Sequence, residues 1–260
     1  MNFKNILDLL RDVYVDELRG TNSPSCGFNR TTPCKSLNEG LKKAHKFGTV
    51  YVIGQHSLQH TMMLIKSVII KSDFLQTGII TSNAHIIFAF IVGCEAKRLE
   101  LEGLHFENIE TVYLHKRCDL HIEMRGITVN NTSGTKMKSI QLNAKNVPNS
   151  NSLRIYNSRF VNTSGISISH FNFVHLENCI FSGSTNADIS NGLIHASKVQ
   201  KLRISNCHFS AVVGSFLIVD QSSAIIMKTT FYGSTSFLGC AVFDRVKMFI
   251  IKETKFENCR

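Results

Sequence analysis

The chain has 260 residues, of which 43% are hydrophobic and 18% are charged, a composition that excludes wholesale disorder. Its 29 Lys and Arg residues outnumber 19 Asp and Glu residues, so the formal net charge is +10 and anionic partners are favoured in general. No basic helix and no interleaving of aromatic and basic residues occurs, which argues against a nucleic-acid partner. The longest apolar run, residues 86–94, has about half the length that a membrane span needs.

Residues 1–11 are predicted to be an N-terminal tail or the end of a fragment. They carry Lys4, Asp8 and Arg11 around a short apolar segment, so no hydrophobic region of a signal peptide is visible. Eight cysteines without a CxxC pair, together with Asn-x-Ser/Thr glycosylation sequons, nevertheless favour an oxidising, secretory context. The sequons begin at Asn29, Asn130, Asn131 and Asn162. The chain is therefore predicted to be a segment of an extracellular or cell-surface protein.

Residues 12–48 are predicted to form an N-terminal cap that differs from the rest of the chain. Residues 14–15 indicate a strand, and a loop rich in Gly, Asn, Ser and Pro follows it. Ser36 and Glu39 form a capping box, which predicts a helix over residues 36–47. Such a helix would cover the open end of a sheet and so protect its edge.

An internal repeat organises residues 49–260. Seven segments align without gaps on one anchor residue, and each has apolar residues seven and five positions before that anchor. The anchors are Phe106, Val129, Phe160, Phe181, Phe209, Phe231 and Phe256. Each segment alternates apolar and polar residues, which is the pattern of a half-buried strand. A second short apolar strand precedes each segment, and no helix-period stretch lies between the two.

Two or three short strands in a unit of about 25 residues fit one coil of a parallel β-helix. Coils stacked about 4.8 Å apart place like residues above one another, so we expect the anchors to fill a continuous interior and Asn residues to form amide ladders. The sequence predicts an all-β solenoid of roughly eight or nine coils with a short capping helix. The chain stops in the middle of a repeat, so we also expect truncation at the C-terminus and further coils in a longer polypeptide.

The cap and the coils together resemble a known superfamily. Residues 33–37 read Pro-Cys-Lys-Ser-Leu, residues 48–52 read Gly-Thr-Val-Tyr-Val, and the coils follow Leu-x-Ile-x-Asn-Cys-x-Phe. These motifs are similar to the pectin-lyase-like right-handed parallel β-helix superfamily, in its extracellular, non-catalytic type with a PC-x-S-L N-terminal cap. The resemblance implies right-handed, single-stranded coils and a disulfide between Cys26 and Cys34. It says little about activity, because the superfamily contains lyases, hydrolases, esterases and many non-enzymes.

The remaining cysteines leave two interpretations open. Cys94 and Cys118 nearly share a repeat position, which is compatible with a disulfide or with stacked small residues, and a disulfide is slightly favoured. Cys179 and Cys207 occupy the same position in consecutive coils, and for this pair packing without a bond is favoured. The histidines do not share repeat positions in neighbouring coils, so no metal site is predicted.

The sequence contains no catalytic set of the polygalacturonase, pectate lyase or pectin esterase type. The Asn-Thr-Asp, Asp-Asp, Gly-His-Gly and Arg-Ile-Lys motifs of polygalacturonase-like members are all missing from the sequence. Pectate-lyase-like members need clustered carboxylates for calcium, yet the four Asp residues after residue 74 share no repeat position. We therefore predict no catalytic residue, no metal and no cofactor.

The outward positions six and four before each anchor supply the best candidate for a ligand site. In three neighbouring coils they carry basic and aromatic residues and one carboxylate, namely Arg154, Tyr156, His175, Glu177 and Arg203. An arginine fork suits carboxylate or sulfate groups, and a tyrosine ring can stack on a sugar. The other interpretation of these residues is an ordinary mixed exterior.

The sequence thus favours a non-enzymatic extracellular β-helix that acts as a structural or adhesive segment or recognises carbohydrate. The expected partner is an acidic polysaccharide or another extracellular protein, and no nucleic acid is expected. The alternative is a polysaccharide lyase or glycoside hydrolase that acts on acidic glycans.

Overall fold

The strands of this protein wind into a parallel β-solenoid with three faces, which confirms the predicted fold class. The structure, a computed structural model, describes residues 12–58, 60, 62–75, 77–82, 90–92, 95–107, 112–115, 119–130, 140–143, 150–163, 165–183, 192–236 and 239–259. No helix in this part of the chain has the length and apolar character needed to span a bilayer.

Three parallel sheets, which we name A, B and C, form the faces. Sheet A has ten strands: β1 (Val13–Asp16), β2 (Thr49–Ile53), β5 (Val68–Ser72), β8 (Arg98–Glu102), β11 (His121–Arg125), β14 (Ser152–Tyr156), β17 (Phe173–Glu177), β20 (Lys201–Ser205), β23 (Ser223–Met227) and β26 (Met248–Lys252). Sheet B has nine strands: β3 (Gln55–Leu58), β6 (Ile79–Ser82), β9 (His105–Glu107), β12 (Thr128–Asn130), β15 (Arg159–Thr163), β18 (Ile180–Gly183), β21 (His208–Val213), β24 (Thr230–Thr235) and β27 (Lys255–Cys259).

Sheet C consists of a two-stranded and a six-stranded part. The first part contains β4 (Met62–Leu64) and β7 (Phe90–Val92). The second contains β10 (Val112–His115), β13 (Ile140–Asn143), β16 (Ile166–Ser169), β19 (Ile194–Ser197), β22 (Leu217–Asp220) and β25 (Ala241–Asp244).

The chain passes through sheets A, B and C in turn, and each such circuit is one coil. Among the described residues, six consecutive coils, from the coil of β8–β10 to that of β23–β25, pair with one another in all three sheets. This number is smaller than the eight or nine coils predicted. The earlier coils contribute only the separate two-stranded part of sheet C, and after β25 the described chain adds strands to sheets A and B only.

The anchor residues lie in register in sheet B. Phe160 pairs with Phe181, and Phe181 pairs with Phe209. Their rings stack with centroid distances of 5.0 and 4.8 Å, and all three side chains are fully buried. Burial of one such side chain contributes about 1.5–3 kcal/mol, so the stack is a main source of stability for the central coils.

From β8 onward, the bend from sheet A to sheet B uses one left-handed residue in each coil. This residue stands three positions before the anchor and has φ between 50° and 66° in Gly103, Gly126, Asn157, Asn178, Asn206, Lys228 and Glu253. Gly and Asn tolerate this backbone conformation better than other residues do. The Nδ2 atom of Asn178 donates a hydrogen bond to Oδ1 of Asn157 at 3.2 Å, and this bond forms part of the expected amide ladder.

The capping helix is shorter than predicted. Helix α1 spans Leu37–Lys43, and Ser36 is its N-cap, with Oγ accepting a hydrogen bond from the Glu39 N–H at 3.2 Å. The prediction of residues 36–47 was wrong at the C-terminal end. Ala44 leaves the helical conformation with ψ of 138°, because the chain must turn there to enter β2.

A disulfide and a half-buried ion pair hold the cap in place. The disulfide joins Cys26 to Cys34, the pair that the family resemblance implies. The Arg30 guanidinium donates to the Asp73 carboxylate, with Nη2 at 2.5 Å and Nε at 3.1 Å from Oδ2. Asp73 lies between β5 and β6, so this pair links the cap to the second coil.

A second disulfide joins Cys240 to Cys259, a pairing that the sequence left open. Cys179 and Cys207 are buried and unbonded, as the packing interpretation predicted. Cys94 and Cys118 lie outside the described residues, so their pairing stays a prediction.

Candidate functional site

The five residues predicted to bind a ligand lie together on the outer face of sheet A. In this sheet the alternation of residues sends Leu and Ile side chains inward and polar side chains outward. Arg154 pairs with His175, and His175 pairs with Arg203, so the three form one row across consecutive coils. Tyr156 and Glu177 are paired in the adjacent row.

His175 stands at the centre of this face. Its Nε2 atom lies 3.2 Å from the Ser205 hydroxyl oxygen and 3.8 Å from a Glu177 carboxylate oxygen. Burial lowers the pKa of His175, the Glu177 carboxylate acts in the opposite direction, and the two arginines of the row lower it further. The imidazole is therefore uncharged at neutral pH, and the positive charge of the row resides on the arginines.

The charges of this face are distributed unevenly along the solenoid. In its earlier coils the carboxylates have cationic neighbours at 2.5–2.7 Å, in the pairs Arg98–Glu100, Lys71–Glu102 and Arg125–Glu123. Further along the sheet lie Arg154, Lys201 and Arg203, which we name the basic patch. Within the described part of the chain, no carboxylate lies within ion-pair distance of these three residues.

Aromatic rings lie beside the basic patch. The Arg154 guanidinium carbon is 6.0 Å from the centroid of the Phe173 ring, and the Tyr156 ring meets the His175 ring edge-on at 5.7 Å. Two shallow grooves of about 230 and 250 Å³ flank the patch on the same face. One is lined by Arg98, His121, Ile122, Glu123, Ser152 and Arg154, and the other by Lys201, Arg203, Ile225, Met227, Ile250 and Lys252.

Sequence reasoning missed Lys201 and Phe173 as members of this face. Both occupy the outward position eight before the anchor, whereas only positions six and four were considered. The two residues are direct neighbours in sheet A, because Phe173 pairs with Lys201. Extending the outward alternation by one more residue would have found them.

The predicted glycosylation sites differ in their surroundings. Asn29 and Asn162 are exposed and Asn130 is half-buried, whereas Asn131 lies outside the described residues. The Nδ2 atom of Asn162 donates to Oδ1 of Asn130 at 3.2 Å, so a glycan on Asn162 would replace one step of an amide ladder. A glycan on Asn29 would break no such ladder among the described residues, where the Asn29 side chain accepts a local hydrogen bond from the N–H of Thr31.

The prediction that the later Asp residues share no repeat position was wrong for one pair, because Asp220 pairs with Asp244 in sheet C and the Arg245 guanidinium donates to both carboxylates. Across the described residues, no group of three or more His, Cys, Asp or Glu side chains is arranged to hold a metal ion. Comparison with protein-family models finds no match for the chain, and comparison with curated proteins finds none either. The function is therefore inferred from the fold and from the geometry of its outer faces.

Proposed function

We propose that this protein is a non-enzymatic, extracellular β-helix of the pectin-lyase-like superfamily that binds an acidic polysaccharide on the outer face of sheet A. The observation that carries this proposal is the basic patch. Arg154, Lys201 and Arg203 are exposed and, among the described residues, have no carboxylate partner, whereas the arginines of the earlier coils do. Exposed cations without a carboxylate partner are available to an external anion.

The spacing of the patch suits a polymer better than a single small anion. Neighbouring coils are about 4.8 Å apart, so Arg154 and Arg203, two coils apart, are separated by roughly 10 Å. An extended chain lying across the coils would meet one arginine after the other. Each guanidinium can bind a carboxylate or sulfate through two parallel hydrogen bonds, which a lysine cannot do.

The aromatic residues supply a surface for the sugar rings themselves. Phe173 and Tyr156 are partly exposed and flank the row of Arg154 and His175. Sugar rings have apolar C–H faces that pack on aromatic rings, and the uncharged His175 adds no repulsion to such packing. The face therefore combines charge recognition with apolar contact, as a polysaccharide needs.

The cysteines and sequons support an extracellular location. Disulfides persist in oxidising compartments, and the chain has two among its described residues. Two of the predicted glycosylation sites, Asn29 and Asn162, are exposed, as acceptor sites must be. Another extracellular protein with an acidic surface is the second class of partner that this face suits.

The proposal is tested by calorimetry with polygalacturonate, heparin and uncharged dextran. We expect the acidic polymers to bind and dextran not to bind, with affinity falling as salt rises because the patch is exposed. Arg154→Ala combined with Arg203→Ala should weaken binding by about a hundredfold or more, since each of the two lost charged hydrogen bonds contributes about 1.5–3 kcal/mol.

The matched control is Arg98→Ala combined with Arg125→Ala, which removes the same charge from the same sheet face at paired positions. Equal losses in the two double variants, or no binding of either acidic polymer, would overturn the proposal. Release of reducing ends or unsaturated sugars from polygalacturonate would instead support the alternative of a lyase or hydrolase.

A further inference from the structure

A cavity of about 400 Å³ lies between the cap and the first coil. The residues that matter for its chemistry are Glu17, Lys35, Leu37, Asn38, His56 and Leu58. The basic patch begins at β14, several coils away, so the cavity is a separate feature of the molecule. Its volume lies within the range of small-molecule sites, roughly 300–1,000 Å³.

The cavity exists because the cap covers sheet A but not sheet B. Helix α1 packs on β1 and β2, whereas β3 is the last strand of sheet B and, in the described ranges, pairs with β6 alone. In the described part of the chain, no cap strand pairs with the free edge of β3. The Ser57 N–H on this edge donates instead to Oε2 of Glu17 at 2.6 Å.

His56 occupies the anchor position of the first coil. It pairs with Ile80, which pairs with Phe106, so it stands in a column that is otherwise apolar. The residue is 2% exposed, and within the described residues its Nε2 atom has no hydrogen-bond partner. A buried polar atom without a partner costs about 1–3 kcal/mol, which a Phe or Ile at the same place would avoid.

The charge state of His56 defines what it can bind. Burial lowers the pKa of His56, and the Glu17 and Asp16 carboxylates oppose this effect without cancelling it. Hydrogen bonds between the imidazole and the backbone of Val15 and Ile53 act in the same direction as the carboxylates. A neutral imidazole has one acceptor nitrogen, and the Glu17 carboxylate adds further acceptors to the lining of the cavity. Two acceptors in one cavity call for a ligand with several O–H or N–H donors.

We propose that this cavity binds a neutral, hydroxyl-rich ring such as a hexose. Ligand hydroxyls donate to Nε2 of His56 and to the Glu17 carboxylate, and an apolar ring face rests on Leu37 and Leu58. Glu17 disfavours anionic ligands, and Lys35 at the rim disfavours cationic ones. The proposal is independent of the polysaccharide face, since it uses other residues and a different ligand charge.

The test is saturation-transfer NMR on the full chain with methyl glucoside, methyl galactoside, methyl mannoside and N-acetylglucosamine at millimolar concentration. We expect at least one sugar to receive saturation and to shift the imidazole nitrogen signals of His56. His56→Phe restores the apolar anchor of the other coils and removes the acceptor, so it should weaken binding by about tenfold.

The matched control is His195→Phe, the same substitution at a half-buried outward position of β19 far from the cavity, and it should leave binding unchanged. Glu17→Gln provides a second variant, because its amide oxygen still accepts from the Ser57 N–H while the other acceptor becomes a donor. If His56→Phe does not fold, the Gln variant decides. Unchanged binding in the folded variants, or no transfer to any of the four sugars, would overturn the proposal.

Discussion

Asn178 illustrates how one backbone position fixes the bend between sheets A and B. It has φ of 52°, and its side chain donates to Asn157 in the coil before it. A β-branched residue at this φ costs about 1–2 kcal/mol, and loss of the hydrogen bond from the side-chain amide costs about 1 kcal/mol more. We therefore expect Asn178→Val to lower the free energy of unfolding by about 2–3 kcal/mol in urea denaturation.

Asn178→Gly is the control for this prediction, because glycine keeps the left-handed backbone and loses only the hydrogen bond of the side-chain amide. It should cost about 1 kcal/mol or less. Equal destabilisation by Val and Gly would show that the hydrogen bond of the side-chain amide, and not the backbone conformation, determines the stability of the bend.

Two cysteines without a disulfide stand directly after a left-handed residue, at a position where the side chain has a local hydrogen-bonding role. Two positions before the anchor, small side chains donate to the carbonyl two residues earlier in Ser158, Cys179, Cys207, Thr229 and Thr254. The thiols of Cys179 and Cys207 thus take the place of a Ser or Thr hydroxyl. The hydrogen bond with Cys179 and burial both raise the pKa of Cys207, which keeps that thiol protonated.

Titration of His56 makes the stability of the protein depend on pH, and stability falls as the pH falls. Because its pKa is lowered in the folded state, the unfolded chain binds more protons below the ordinary value of about 6.5. Stability is therefore full above that value and is lost as the pH falls toward the folded-state pKa. His175 contributes in the same direction, since its pKa is also lowered.

Urea denaturation at about pH 7.5 and about pH 5.5 tests this prediction. The wild-type chain should lose more stability between the two values than His56→Phe does, because Phe has no proton to bind. An equal loss in both chains would contradict the assignment of the effect to His56.

At the scale of the elements, the stacked Phe rings of sheet B dominate the packing. Phe181 lies between Phe160 and Phe209, with ring centroids at 5.0 and 4.8 Å. Removing this side chain would leave a cavity with aromatic walls, so Phe181→Ala should cost about 3–5 kcal/mol of unfolding free energy. Phe181→Leu, which keeps most of the volume, should cost less than half as much; similar losses in the two variants would argue against a close-packed stack.

The coils after residue 99 were predictable because each repeats the same spacing between sheets A and B. The coils before residue 99 were not predictable, for two reasons that are visible in the register of their strands. The segment between Ile70 and Ile80 is five residues longer than that between Leu101 and Phe106, although these residues pair in the sheets. In the first coil a histidine occupies the anchor, which removes the apolar signal on which the alignment depended.

The two candidate sites also differ in whether the sequence could reveal them. The face of sheet A was visible in the sequence, because in-register coils bring equivalent positions together. The cavity at the cap was not, since its lining comes from Glu17, the start of α1 and β3, which share no repeat position. The sequence could not show that, among the described residues, the Nε2 atom of His56 lacks a hydrogen-bond partner.

At the scale of the whole molecule, a solenoid is stabilised coil by coil. Each coil contacts its two neighbours, so stability is approximately a sum of local terms and the two ends respond separately. The cap end is held by the Cys26–Cys34 disulfide and the Arg30–Asp73 ion pair. At the other end, β26 and β27 pair on one side only within the described chain, and a single disulfide connects Cys259 to Cys240.

This arrangement predicts that loss of the Cys240–Cys259 disulfide acts locally. Because Cys259 is exposed, Cys259→Ser removes the disulfide with little change in packing. For a loop of this length, we expect the protection free energy of the nearby amides to fall by about 3 kcal/mol. In hydrogen exchange, the amides of β26 and β27 should exchange faster while those of β1 and β2 stay unchanged, because exchange follows local opening. The reciprocal variant, Cys26→Ser with Cys34→Ser, should give the opposite pattern. Faster exchange along the entire chain in either variant would mean that the coils unfold as one cooperative unit.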